Sequence, residues 1–254
     1  MFPDLFSIGP FTLHTYGLFV AMGFFAAIMV TLTLGKAEGL DPKQITDMGF
    51  YIILAAILGS RAMYVLMNIS HYMDRPLDSF KIWEGGLVFS GGIVAALLTV
   101  IAYVKRHRLS FLRIGDLWTP GLALGQGIGR IGCLMAGCCY GRPTNGDWGI
   151  VFTDPRALAP LHIPLHPTQI YASLSGFLLF GILLFIRKKK QFQGQVFVWF
   201  LILHSTARLF MERFRGDDRG MLLGSEMTLT QGLTLLILVG AIVALFVLKR
   251  KKPL

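Results

Sequence analysis

The chain has 254 residues, 54% of them apolar and 15% charged, with a formal net charge of +10 and a mean hydropathy of +0.62. A typical soluble domain carries roughly 25% charged residues, so this composition excludes both a soluble globular domain and a disordered chain. Several stretches of about 20 apolar residues suit a hydrocarbon core about 30 Å thick, and the chain reads as an all-α polytopic membrane protein, one integral-membrane domain over residues 1–254.

Residues 1–14 hold no Lys or Arg, and the apolar run after them is longer than the core of a secretory signal, so the first segment is expected to stay as a span. Seven spans are predicted, at about 15–34, 47–67, 86–104, 115–136, 169–186, 195–210 and 228–248. All should be helices, because lipid leaves an open segment no other way to satisfy its backbone. The first, second, fifth and seventh are the cleanest. The fourth carries Asp116, Pro120, Gln126 and Arg130, and the sixth carries His204, Arg208 and, at its end, Glu212. Both are polar enough to face protein or water.

Outside these spans, one alternating set of loops holds 7 basic residues and the other 14. The richer set should lie in the cytoplasm, which puts the N-terminus outside, the C-terminus inside, and the loops 138–168 and 211–227 together on the outer side. The clusters at 105–108, 187–190 and 249–252 then read as solvated anchors at the lipid surface, and no nucleic-acid partner is needed to explain them. No internal repeat stands out, which weighs against an inverted-repeat transporter.

Arg61, Arg130 and Arg208 lie at membrane depth. A charge there is costly unless it faces a cavity or a partner. A guanidinium binds phosphate in a two-pronged fashion and keeps its proton, which suits an anionic lipid headgroup. The alternative is ion pairing to Asp116, Glu84 or Glu212 that holds the bundle together. His204, Arg208 and Glu212 follow at i, i+4 and i+8 on one helix face, and His204 is the residue best placed to act as a general base. The run from Gly125 to Gly141 is rich in glycines that suit close helix packing. It is no dinucleotide fingerprint, because no strand precedes it. Cys133, Cys138 and Cys139 lack the spacing of a structural zinc site and read mainly as small packing residues, with no metal expected.

Six ordered motifs carry a resemblance to a known family. They are His14-Thr-Tyr-Gly17, Gly59-Ser-Arg-Ala-Met-Tyr-Val65, Trp83-Glu-Gly-Gly-Leu-Val-Phe-Ser-Gly-Gly92, Gly129-Arg-Ile-Gly132 with its closing Gly141, His166-Pro-Thr-Gln-Ile-Tyr171 and Glu212-Arg-Phe-Arg215. Across nearly its whole length the sequence resembles the prolipoprotein diacylglyceryl transferases of bacterial inner membranes. The resemblance implies transfer of the diacylglyceryl group of phosphatidylglycerol to the lipobox cysteine thiol of a prolipoprotein, releasing glycerol phosphate, with no metal or dissociable cofactor. It implies Arg130, Arg208, Glu212 and Tyr16 as catalytic candidates, and the reading of the helix face adds His204. Arg61, Ser90, Gly91, Gly92, Cys133, Cys138, Gly141, His166 and Gln169 join the two arginines as candidates for substrate binding.

Within that resemblance Arg130 falls to the lipid phosphate, Glu212 orients Arg208, and Gly141 stands where the backbone must turn. Four positions depart from the family's best-known pattern. Ser90 stands where a histidine is often proposed as base, Cys133 where an asparagine stands, Cys138 where a glutamate stands, and His204 where a tyrosine stands. His204, or loss of the thiol proton to water, is expected to replace the missing base. The alternatives are a paralogue that binds the same lipid with another acceptor or none, and a lipid or solute transporter.

Overall fold

The structure is a computed structural model that describes residues 2–8, 11–82, 85–217 and 227–251. A short antiparallel hairpin, β1 (Asp4–Ile8) and β2 (Phe11–His14), precedes α1 (Thr15–Ala37), α2 (Pro42–Met67), a short α3 (Ile69–Asp74), a 3-10 turn (Pro76–Phe80), α4 (Phe89–Arg106) and α5 (Phe111–Ala136). The two-residue strands β3 (Ile150–Val151) and β4 (Pro164–Leu165) pair before α6 (Thr168–Lys188), α7 (Gln195–Glu212) and α8 (Leu229–Lys251). Among the described residues, α1, α2, α4, α6 and α8 are long and apolar enough to cross a membrane. The chain is a multi-pass, all-α membrane protein, and α5 and α7 are the two predicted spans that carry the polar load.

The chain divides into two compact units, Met1–Thr31 with Gly115–Leu254, and Leu32–Ile114. In the second unit, α2 and α4 pack antiparallel through small residues. Gly59 and Gly91 meet backbone to backbone, Gly92 abuts Ser60 and Ala56, and the Tyr103 hydroxyl donates to the Gln44 carbonyl at 3.0 Å. Arg113 ties to Glu38 at 3.4 Å.

In the first unit the glycine-rich α5 is the hub. Gly132, Gly125 and Gly121 lie against Tyr16, Gly23 and Ala27 of α1 in antiparallel register, and Gly127 lies against Gly176 of α6. The Ser173 hydroxyl adds a 2.8 Å bond to the Gly127 carbonyl. With no Cβ in the way, the backbones approach closely, the usual device for helix packing in lipid. Leu117 and Ala123 of α5, Leu179 and Leu183 of α6 and Val196 of α7 are fully or almost fully buried.

Asp116 is completely buried on α5. Among the described residues no arginine pairs with it, where the sequence allowed one. Its carboxylate instead accepts from the amides of Gly194 (2.6 Å) and Phe197 (2.9 Å) at the start of α7 and from Lys190 Nζ at 3.1 Å. A neighbouring helix therefore caps α7, whose own N-terminal residue, Gly194, offers no side chain. Lys190, expected to be a solvated anchor, has a side chain only 14% exposed for this reason.

The irregular segment after α5 is held by crossings of backbone. Arg142 N donates to Phe214 O (2.8 Å), His166 N to Arg142 O (2.9 Å) and Gly216 N to Tyr140 O (3.2 Å). Gly141 sits in the middle. A Cβ there would collide with His166 and stand 2.9 Å from the Phe214 carbonyl. Gly141 is thus required for space; the chain turns at Gly137, whose φ is +70°. Further along, Arg156 grips Asp154 with two nitrogens and Asp4 with a third, and His14 pairs with the other Asp4 oxygen at 2.6 Å. The Arg156 hydrogen bonds hold the Asp154 carboxyl down at about 2. They also tie the β1–β2 hairpin to this segment.

Two substitutions test this frame. Asp116→Ala leaves Lys190 and two amides without their acceptor, and is expected to destabilise the protein by about 3–5 kcal/mol, read as a lowered thermal midpoint in detergent. Gly141→Ala overpacks the crossing at a cost of about 1–3 kcal/mol; an unchanged midpoint would show that the three segments can separate freely.

Candidate functional site

The candidate site is built around the end of α5. Arg130 lies less than two turns before that end, half-buried, and its Nη1 donates towards the sulfurs of Cys139 (3.4 Å) and Cys133 (4.0 Å). Among the described residues no carboxylate pairs with it. The helix then closes on itself: Cys138 N donates to Cys133 O (3.1 Å) and Gly137 N to Leu134 O (3.3 Å), with Gly137 left-handed. These are the paired bonds of a Schellman cap, which brings the residues on either side of the stop together. Cys139 follows with φ at +60°, a conformation unusual for a residue with a side chain.

The His166-to-Tyr171 motif braces this turn. Thr168 Oγ1 donates to the Cys139 carbonyl (2.8 Å) and Gln169 Nε2 to the Cys138 carbonyl (2.9 Å). Gln169 is 1% exposed, and among the described residues its Oε1 has no hydrogen-bond partner. The His166 ring lies 5.3 Å from Phe214, and its buried Nδ1 likewise has no hydrogen-bond partner among the described residues. His166 borders a cavity of about 420 Å³ lined mainly by Trp148, Tyr171, Phe210, Met211 and Phe214. Its walls suit hydrocarbon, with few polar groups to fix orientation.

Tyr16 reaches this neighbourhood because Gly132 lets α1 approach, which sets it within electrostatic range of Arg130 and the cysteines. His204 on α7 stacks on Phe200 at 5.4 Å and senses the Arg130 charge. One turn further, Arg208 pairs with Glu212 at 3.0 Å, as the i, i+4 spacing predicts, and the other Glu212 oxygen accepts from Thr228 Oγ1 at 3.1 Å. Arg208 is therefore oriented by Glu212, while His204 takes an aromatic neighbour. The structure brings Tyr16, Arg130, Cys133, Cys138 and His204 into one neighbourhood, and Gln169 braces the Cys138 carbonyl within it.

The other expected residues lie in the Leu32–Ile114 unit. Arg61 is buried, and its guanidinium donates to the carbonyls of Asp78 (2.7 Å), Ser79 (2.8 Å), Gly85 (2.9 Å) and Gly86 (3.4 Å), with the rings of Tyr64 and Tyr72 beside it. It acts as a clamp on that loop, and the geometry gives it carbonyls where the sequence suggested phosphate or carboxylate. Gly91 and Gly92 are likewise spent on packing against α2. Ser90 is exposed, and Trp83 and Glu84 of the same motif lie outside the described residues.

Arg215 is the residue that sequence reasoning passed over. Counted as a loop cation, it is only 7% exposed, gripped by Asp217 at 2.6 and 2.7 Å, and in electrostatic contact with Cys139. The signal that could have found it is its place in the Glu212-to-Arg215 motif.

Residues 3–247 match the prolipoprotein diacylglyceryl transferase family. The chain is 37% identical over 220 residues to the phosphatidylglycerol–prolipoprotein diacylglyceryl transferase of Clostridium tetani, covering 87% of this chain and 88% of that protein. It is 33% identical over 230 residues to transferase 2 of the same name from Clostridium perfringens, at 91% and 89% coverage. Against the Geobacter sulfurreducens protein of that name it is 32% identical over 255 residues, at 98% and 96% coverage. With agreement along almost the whole chain, the chain belongs to the prolipoprotein diacylglyceryl transferase family.

Proposed function

We propose that this protein transfers the diacylglyceryl group of phosphatidylglycerol to the lipobox cysteine thiol of a prolipoprotein, in the bacterial inner membrane, with its N-terminus in the periplasm and its C-terminus in the cytoplasm. The observation that carries the reading is Arg130, a fixed half-buried cation that touches sulfurs and, among the described residues, no carboxylate. A cation placed this way is poised for an anion from outside the chain, and a phosphodiester headgroup fits a planar guanidinium. The names of the relatives supply the reaction, and the excess of basic residues in alternate loops supports the orientation.

In this reaction the thiol sulfur attacks the glyceryl carbon that bears the phosphate. A carbon–sulfur bond forms, the carbon–oxygen bond breaks, and glycerol phosphate leaves with the bond's electrons. Negative charge grows on the leaving phosphate, where preoriented cations in a water-poor site are worth most. Arg130 takes the phosphate, and Arg208, held by Glu212, adds a second charge from α7. The Tyr16 hydroxyl donates to the same anion. The thiol proton passes to His204, whose ring is fixed against Phe200. A free thiol ionises at about 8.5, so a weak base suffices. The brace of Gln169 and Thr168 on the Cys138–Cys139 turn keeps these groups in place, and the cavity beside His166 accepts an apolar part of a substrate.

The test is purified protein in detergent with phosphatidylglycerol and a lipobox peptide, following glycerol phosphate release and the peptide's mass. A diacylglyceryl adduct is expected, and Arg130→Ala should lower its rate by about 100-fold or more, the scale set by removing one transition-state donor. Lipid binding without any adduct would favour a paralogue with another acceptor, a reading suggested by Ser90 and the cysteines. His204→Gln should slow transfer by about 100-fold if the ring is the base; a full rate in that variant would assign the proton to water.

A further inference from the structure

The three cysteines look unsuited to a metal when read along the chain, yet the helix cap folds them into a cluster. Cys133 and Cys138 are the two positions that a Schellman cap sets side by side, and the left-handed Cys139 turns back on them. All three thiols are free, and their sulfurs lie within 4.8 Å of one another. Sulfurs around a metal at a bond length of about 2.3 Å stand about 3.8–4.0 Å apart, so closure on an ion needs movements of less than about 1 Å.

Charge favours the same reading. Three thiolates carry three negative charges, and Arg130 donates to two of the sulfurs while Arg215 interacts with Cys139. Guanidinium groups alone would repel a cation. Beside a trithiolate they balance the excess negative charge that a mono- or divalent ion leaves.

We propose that Cys133, Cys138 and Cys139 form a binding site for one thiophilic cation, of the Cu(I), Zn(II) or Cd(II) class, which draws the Arg130 guanidinium to it as counter-charge. Soft sulfur ligands select such ions. On binding, three metal–sulfur bonds form and the thiols still carrying protons release them to solvent. The consequence for activity rests on the phosphate role given to Arg130 above: an occupied site withdraws that arginine from the lipid phosphate and slows transfer.

The test titrates Cd(II) into the reduced full-length protein in detergent under inert gas, following the thiolate-to-cadmium charge-transfer band, with transferase activity measured on the same samples. One cadmium per chain, proton release, and activity falling in step with the band are the expected results. Cys138→Ser should lose tight uptake, with thermal melting run in parallel to confirm folding; Cys139→Ser gives an independent second variant. No band, one cadmium per two chains, or full uptake by either folded variant would overturn the site, and a saturated band with undiminished activity would overturn the coupling to Arg130. An inactive metal-free sample would count against the transferase reading alone, because uptake is read without turnover.

Discussion

Gly141 lies where three distant stretches of chain come within backbone reach. The stretch leaving α5 bonds to Phe214 on one side and to His166 on the other, and no side chain fits between them. Each stretch carries part of the site: the cysteine turn and Arg130 on the first, Thr168 and Gln169 on the second, Glu212 and Arg215 on the third. The proposed chemistry depends on this crossing because main-chain hydrogen bonds hold it, and they fix position more tightly than long charged side chains can.

Close approach between helices supports the crossing from below. The glycines of α5 allow α1 and α6 to touch its backbone, so Tyr16 can stand near Arg130. In lipid there is no hydrophobic force to drive helices together, so backbone proximity and satisfied polar groups carry the association. Asp116 shows the second kind. A fully buried carboxylate would be costly alone, and it is compensated by the Lys190 charge and by the open amides of α7. The same capping sets the start of the helix that carries His204, Arg208 and Glu212.

The two intramembrane arginines with clear partners show different uses of one side chain. Arg61 spends its fork on carbonyls of a loop. Arg208 is oriented by a carboxylate one turn away, which leaves it charged, held and part-exposed. Arg130 has sulfur neighbours that can be neutral or anionic. That difference gives it two possible counter-ions in turn, a lipid phosphate or a thiolate cluster, and links the proposed reaction to the proposed cation site.

Apolar length and helical periodicity were enough to place the seven long helices of the described residues within a few residues, since the need to satisfy the backbone in lipid is local. The polarity of α5 and α7, and the Arg208–Glu212 pair, were legible for the same reason: contacts at i and i+4 follow from helix geometry. The motifs likewise single out Arg130, Gly141 and Gln169 as candidates. Tertiary structure decided what those residues touch. It assigned Arg61 to carbonyls, Asp116 to a helix cap, Lys190 to a buried pair and Arg215 to the interior, and it gathered into one cluster three cysteines whose spacing is not that of a structural zinc site. Each of these depends on partners distant in sequence or on a chain reversal at a left-handed glycine, and neither is written into hydropathy or helical period.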